Sequence, residues 1–217
     1  DPAVTAGIRR MLRARLRALG GEPAGVEPAG SEPGPRGRTD GLDGPGDSEG
    51  APLAVATDAA NRQHYEVPPR FFERVLGVHL KYSCCVWQPD RVGESLDEAE
   101  RRALDLTVER AALGPGQRVL DLGCGWGSFS LHAAATFPDS RFVAVSNSRP
   151  QIDFVRRRAR AAGLLNVEAH VADVNDLDVN DLAPQGRFDR IVSIEMMEHV
   201  RNHAELLRRV ASWLEPD

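Results

Sequence analysis

The sequence predicts an α/β fold, a parallel sheet with helices on both faces, preceded by helical material. Three observations carry the prediction. From about residue 114 onward, short apolar runs alternate with longer stretches of helical spacing, the pattern of strands joined by crossover helices. The first run, Arg118–Leu122, flows straight into a turn with glycine at three alternate positions. Before it lies a strongly marked helix, so the chain opens on helical structure before any strand.

That helix is expected over Leu96–Leu113. Ser95 and Glu98 have the Ser-x-x-Glu spacing of a capping box. Leu96, Ala99, Ala103, Leu106 and Arg110 follow at mostly helical spacing, and Gly114-Pro115-Gly116 ends the run. Residues 59–80 read as helical material broken at Pro68-Pro69. Beyond the first strand, the alternation predicts a helix over Ser128–Thr136 and a second strand over Arg141–Val145. A helix over Pro150–Ala162 then closes at Gly163, and a third strand spans Val167–Val171. A fourth strand over Phe188–Ile194 and a helix over His203–Leu214 complete the pattern.

At 217 residues, with 41% hydrophobic side chains, the chain is long enough to bury a real core. It has no run of 18 apolar residues, so no membrane-spanning helix is expected. Three cysteines cannot form a disulfide framework, and they fit a reducing compartment, the cytoplasm. No Cys/His spacing suggests a metal site, and a net charge of −5 argues against nucleic acid as a partner. Residues 1–19 carry Ile8, Met11, Leu12, Leu16 and Leu19 at helical spacing among five arginines. This basic amphipathic helix is either a solvated edge helix or a contact for anionic lipid. Between Gly20 and Pro52, 16 of 33 residues are Gly or Pro, so residues 20–56 are expected to form a disordered linker. A helical cap over 57–113 and a core over 114–217 follow.

The stretch Asp121-Leu122-Gly123-Cys124-Gly125-Trp126-Gly127 is the most informative. Glycine is needed where the backbone turns sharply and meets a ligand closely, and ligands of open parallel sheets bind beyond the strands' carboxyl ends. The spacing is neither the dinucleotide Gly-x-Gly-x-x-Gly nor a phosphate-binding loop. It resembles the first motif of S-adenosylmethionine-dependent methyltransferases. That resemblance implies Asp121 near the amino-acid end of S-adenosylmethionine, with Gly123 and Gly125 offering backbone contacts. The second strand ends in Ser146-Asn147-Ser148 rather than an acid. Ser146, Asn147 and Gln151 match a branch in which neutral groups take the ribose hydroxyls, while Ser148 can equally cap the next helix. The resemblance also brings Asp173 and the adjacent Val174, after the third strand, to the adenine.

Ahead of the sheet stand His64-Tyr65-Glu66-Val67-Pro68-Pro69, Phe71-Phe72 and Lys81-Tyr82-Ser83-Cys84-Cys85-Val86-Trp87. These closely resemble the N-terminal cap of the cyclopropane fatty acid synthase-like methyltransferases, over about Ala59 to Asp217. The resemblance implies a Rossmann-like class I methyltransferase sheet, with Tyr82, Ser83 and Ile194 at the cofactor. It places Cys84, Glu198 and His199 around the reacting centre, where the synthases hold a bicarbonate. Ile194-Glu195-Met196-Met197-Glu198-His199 looks more like the coclaurine N-methyltransferase branch, because the synthases have a small residue where Glu195 stands. The resemblance therefore implies N-methylation of a small amine, with Glu195 and Glu198 holding the ammonium and His199 or a carboxylate taking its proton. The alternative is cyclopropanation or methylation of an unsaturated phospholipid, with peripheral membrane contact through residues 8–19. Seven strands are implied, and the chain stops where a turn into the fifth is due. A fragment is therefore expected, poorly soluble and inactive alone, and a cofactor-binding remnant is a third reading.

Overall fold

The computed structural model describes Leu53 and residues 68–88, 90–182 and 186–216. The basic segment 1–19, the linker apart from Leu53, and His64 to Val67 of the cap motif lie outside the described residues.

Helix α1, Pro69–Val75, starts with proline in its first turn, where the missing N–H costs nothing. Helix α2, Leu96–Arg110, has the expected capping box: Ser95 accepts from the Glu98 amide at 3.3 Å, and Glu98 accepts from the Ser95 amide at 2.9 Å. The buried face differs from the expected one. It runs through Ala99, Glu100, Ala103 and Leu104, while Arg110 is exposed. The helix also stops three residues before Leu113. Ala112 takes a left-handed φ of +48°, its amide donates to Glu109 O, and the Leu113 amide donates to Val108 O at 3.2 Å. This is a Schellman closure, with Leu113 and Val108 packed on the same core cluster.

The sheet follows. Strand β1 is Arg118–Leu122, helix α3 Ser128–Thr136, strand β2 Arg141–Ser146 and helix α4 Arg149–Ala161. Strand β3 is Val167–Val171, and a one-turn helix α5, Val179–Leu182, precedes β4, Arg190–Val192. A 3₁₀ turn at Met197–His199 leads to helix α6, His203–Trp213. The strands are all parallel, in the order β3-β2-β1-β4, with Leu120 paired to Val143 and to Ile191. Neither α5 nor the 3₁₀ turn has a hydrophobic period long enough to be seen in the sequence.

Side chains alternate across β1 and β2 and divide the core between the two faces. Val119, Phe142 and Ala144 meet Leu104 of α2, Phe129 of α3 and Ile152 of α4. Leu120, Leu122, Val143 and Val145 meet Leu182, Leu206 and Trp213 on the other face. Leu53, inside the composition-defined linker, is buried in that second cluster, and its carbonyl accepts from the Arg201 amide at 2.8 Å. The cap attaches through Phe72 and Leu80, which pack with Trp126 of the glycine turn and Phe154 of α4.

Strand β4 is shorter than the expected Phe188–Ile194. The Phe188 amide donates to Trp213 O and its carbonyl accepts from the Glu215 amide, both at 2.9 Å. Its backbone is thus bound to the chain leaving α6 rather than to β1. At the other end, Ser193 Oγ donates to Leu122 O at 2.9 Å. The backbone then turns left-handed at Glu195, φ +51°. Among the described residues no helix is long and apolar enough to cross a membrane.

Two helix ends give a paired test. Gly163, φ +68°, closes α4 with the same hydrogen-bond pattern that Ala112 gives α2. A left-handed backbone costs a Cβ-bearing residue about 1–2 kcal/mol. Gly163→Ala should therefore lower stability by about 1 kcal/mol, and Ala112→Gly should raise it by a few tenths to about 1 kcal/mol. Urea unfolding of both variants checks the opposite signs.

Candidate functional site

The site lies at the carboxyl ends of β1, β2 and β4. The turn after β1 is held open by backbone geometry: Gly123, Gly125 and Gly127 have φ of +87°, +53° and +78°. The amides of Gly123 and Cys124 both donate to Val145 O, at 3.0 and 2.8 Å, which ties the turn to the end of β2. At two of the three glycines there is no room for a side chain, while at Gly125 only the backbone conformation disfavours one. A Cβ on Gly123 would sit 2.7 Å from Met196 Cγ, and one on Gly127 would sit 2.7 Å from Val155 Cγ2.

A cavity of about 400 Å³ opens above this turn, a size typical of small-ligand sites. The glycine turn and Asp121 form its floor, Gln151 one wall, and Ile194, Glu195, Glu198 and His199 another. Leu80, Tyr82 and Ser83 come over from the cap. Asp121 is almost fully buried and accepts from Ser130 Oγ at 2.6 Å. Burial outweighs that hydrogen bond and raises its carboxyl to about 6. Glu195 Oε1 accepts from the Cys84 amide at 2.9 Å, joining the loop after β4 to the cap across the cavity mouth. Three carboxylates and one imidazole face the cavity, and among the described residues no Lys or Arg lines it, so these groups favour a cationic ligand.

Among the described residues three buried side-chain nitrogens lack a hydrogen-bond partner: His170 Nε2, on β3 and outside the cavity lining, and two amide or indole donors, Trp126 Nε1 and Gln151 Nε2. Trp126 and Gln151 both line the cavity. The Gln151 side chain is oriented by Ser146, whose Oγ donates to Gln151 Oε1 at 2.8 Å and accepts from the Ser148 amide at 3.1 Å. Orphaned buried donors call for a ligand that supplies acceptors. S-adenosylmethionine has hydroxyls, ring nitrogens and a carboxylate for such donors, and a sulfonium and an ammonium for the carboxylates.

Tyr82, Ser83, Asp121, Gly123, Gly125, Gln151, Ile194, Glu195, Glu198 and His199 thus come together at the cavity as the sequence suggests. Ser146 reaches it only through Gln151, and Asn147 is not among its lining residues. Asp173 and Val174 stand apart from it. Asp173 Oδ1 accepts from the backbone and side chain of Asn175 at 2.9 and 2.8 Å, and Val174 packs on the core. Cys84 is exposed and meets the site through its backbone amide. Cys85 and Cys124 have thiols pushed up by burial. Ser148 occupies the N-cap of α4 without a capping bond, because Pro150 removes one of the N–H groups it would serve. Met196 and Met197 pack against the core. Sequence reasoning missed Leu80 and Trp126 as lining residues. Trp126 could have been found, since it lies between two of the turn's glycines.

A family model described as mycolic acid cyclopropane synthetase matches residues 55–217. The chain is 38% identical over 165 residues to (S)-coclaurine N-methyltransferase of Thalictrum flavum subsp. glaucum, covering 76% of this chain and 44% of that one. Among solved structures, a coclaurine N-methyltransferase bound to N-methylheliamine and SAH matches with a TM-score of 0.72 and 38% identity, over 77% of this chain and 46% of that one. The cyclopropane synthase MmaA2 of Mycobacterium tuberculosis matches with a TM-score of 0.65 and 28% identity, over 76% of this chain and 55% of that one. The chain spans less than half the length of the coclaurine N-methyltransferases it matches.

The buried Asp121 sets a pH dependence. Between pH 3.8 and about 6 the folded chain holds a proton that the unfolded chain has released, so its contribution to stability falls as pH rises through that window. Asp121→Asn keeps an acceptor for Ser130 and removes the charge. The stability of this variant relative to wild type should be small near pH 4 and grow to a plateau above about 6. Urea unfolding across pH checks it.

Proposed function

The chain belongs to the mycolic acid cyclopropane synthetase family, matched from residue 55 to 217, and from that premise we propose that it is an S-adenosylmethionine-dependent methyltransferase acting on the nitrogen of a small amine. The carrying observation is Glu195, seated on the Cys84 amide at the mouth of a cavity whose charged lining, among the described residues, is carboxylate.

We read residues 57–113 as the cap and 114–217 as the cofactor-binding core. When bound, S-adenosylmethionine supplies a methyl group on a positively charged sulfur. Around it, Asp121 and the Gly125 amide would hold its amino-acid end, the Gly123 amide being engaged by Val145 O, and Gln151, oriented by Ser146, would hold the ribose with Trp126 as a further donor. Tyr82 and Ser83 would close the cap side and exclude water. An alkylamine at neutral pH is mostly protonated (pKa about 10.4, as for Lys). Glu195 and Glu198 would bind the ammonium by charge-assisted hydrogen bonds, and His199 would accept its proton so that the nitrogen lone pair is free to attack. The free thiols of Cys84, Cys85 and Cys124 support a reducing, cytoplasmic setting.

The lipid reading uses Cys84, Glu198 and His199 around a bicarbonate. Glu195 weighs against it. Its carboxylate already occupies the Cys84 amide, so an added anion would meet like charge and lose a donor. Peripheral membrane contact through residues 8–19 belongs to that reading alone.

Turnover of an amine panel, and of unsaturated phospholipid with and without bicarbonate, separates the two readings. His199→Ala should cost about 10²–10⁴-fold in amine turnover. Glu198→Ala combined with His199→Ala should abolish it, while SAH affinity persists. Unchanged turnover in the double variant, or bicarbonate-dependent lipid modification without amine turnover, would overturn the proposal.

A further inference from the structure

Residues 76–84 form a strap that leaves α1 and delivers Leu80, Tyr82 and Ser83 to the cavity. The strap is neither helix nor strand, so its N–H groups need acceptors elsewhere. Those of Gly77, Val78, His79 and Lys81 find them on two acids of α2, while the Leu80 amide donates to Gly77 O at 3.0 Å. The fully buried Glu100 accepts through Oε1 from the amides of Gly77 at 2.8 Å and Lys81 at 3.3 Å, and through Oε2 from His79 at 2.9 Å. Asp97, one turn earlier, accepts from the Val78 amide at 2.8 Å.

Three further features bear on this arrangement. Leu80, between two of the clamped amides, has φ +53°, a conformation a bulky residue keeps only when its surroundings enforce it. Its side chain packs beside Phe72 and Trp126. Gly77 lies so close that a Cβ would stand 2.5 Å from Asp97 Oδ1 and 2.6 Å from Glu100 Oε2. Downstream, the buried Lys81 turns its ammonium back along the strap, donating to Ser83 Oγ and to Cys84 O at 2.8 Å. The next amide, that of Cys84, is the one held by Glu195.

We propose that Glu100 is a positioning residue of the site: its buried carboxylate holds the strap in the one path that puts Tyr82 and Ser83 over the cavity and the Cys84 amide within reach of Glu195. Glu100 itself touches no ligand and acts through the strap. The proposal rests on the S-adenosylmethionine reading of the cavity only for its ligand-binding arm.

The test is hydrogen exchange by mass spectrometry on the full chain, with SAH affinity by calorimetry, for wild type, Glu100→Gln and Gly77→Ala. Glutamine offers one acceptor and one donor, so at least one strap amide loses its partner. Exchange across residues 77–84 should accelerate about tenfold or more, the loss of one hydrogen bond to a charged acceptor. Amides of β1 and β2 should keep their protection, and SAH affinity should fall by a similar factor. Gly77→Ala pushes a methyl against the carboxylates and leaves Glu100 intact. It should reproduce the pattern, which keeps the proposal testable if Glu100→Gln fails to fold. Unchanged strap exchange would overturn it, as would acceleration shared equally by β1 and β2, or a loosened strap with unchanged SAH affinity. If wild type binds no SAH, the cavity reading fails and strap exchange alone decides the clamp.

Discussion

The end of β1 depends on a turn whose left-handed backbone favours glycine throughout and whose close contacts at Gly123 and Gly127 leave no space for a Cβ. Three left-handed residues at alternate positions reverse the chain within five residues, and two successive amides converge on Val145 O. That convergence joins the carboxyl ends of β1 and β2 and leaves Asp121 facing upward in a dry setting. The turn also leaves room for Met196 above Gly123 and for Val155 beside Gly127, so the loop after β4 and helix α4 are positioned by the same backbone. Trp126, carried on the turn, packs with Phe72 at a ring distance of 4.8 Å and with Phe154 at 5.3 Å. Cap, sheet and α4 therefore share one contact point.

Charge gives the cavity its chemical character. Desolvation raises Asp121, and a positive charge placed beside it would favour its ionised form. Glu195 and Glu198 are exposed, on the side of the cavity open to solvent. The arrangement suits a reaction in which a positively charged cofactor and a protonated substrate share one pocket, because the carboxylates offset the repulsion between them. Glu195 also gives up one oxygen to the Cys84 amide, so the loop after β4 and the segment before α2 meet on one side chain.

Much of this was legible in the sequence. Strands β1 and β3 and helix α3 have the expected bounds, because clear turn signals flank each of them. The glycine turn and the Glu195 to His199 stretch were visible for the same reason: their residue types are unusual in that order. Other parts were not. Glu100 looks like one more acid on a charged helix, though it follows Leu96 by four positions and precedes Leu104 by four, on the buried face. Asp173 looks like a ligand group, and only the structure shows that one of its oxygens accepts from Asn175 and that it is not among the cavity's lining residues.

The sequence by itself determined the alternation, the parallel sheet, the place of the site and the residue types gathered there. Those follow from local periodicity and from the φ freedom of glycine, which short stretches of chain encode. Tertiary structure decided which polar groups meet: Glu195 with the Cys84 amide 111 positions away, and Glu100 with a strap about 20 positions earlier. Such bonds join segments with no common period, and they exist only once packing has brought a buried acceptor to the donors that need it.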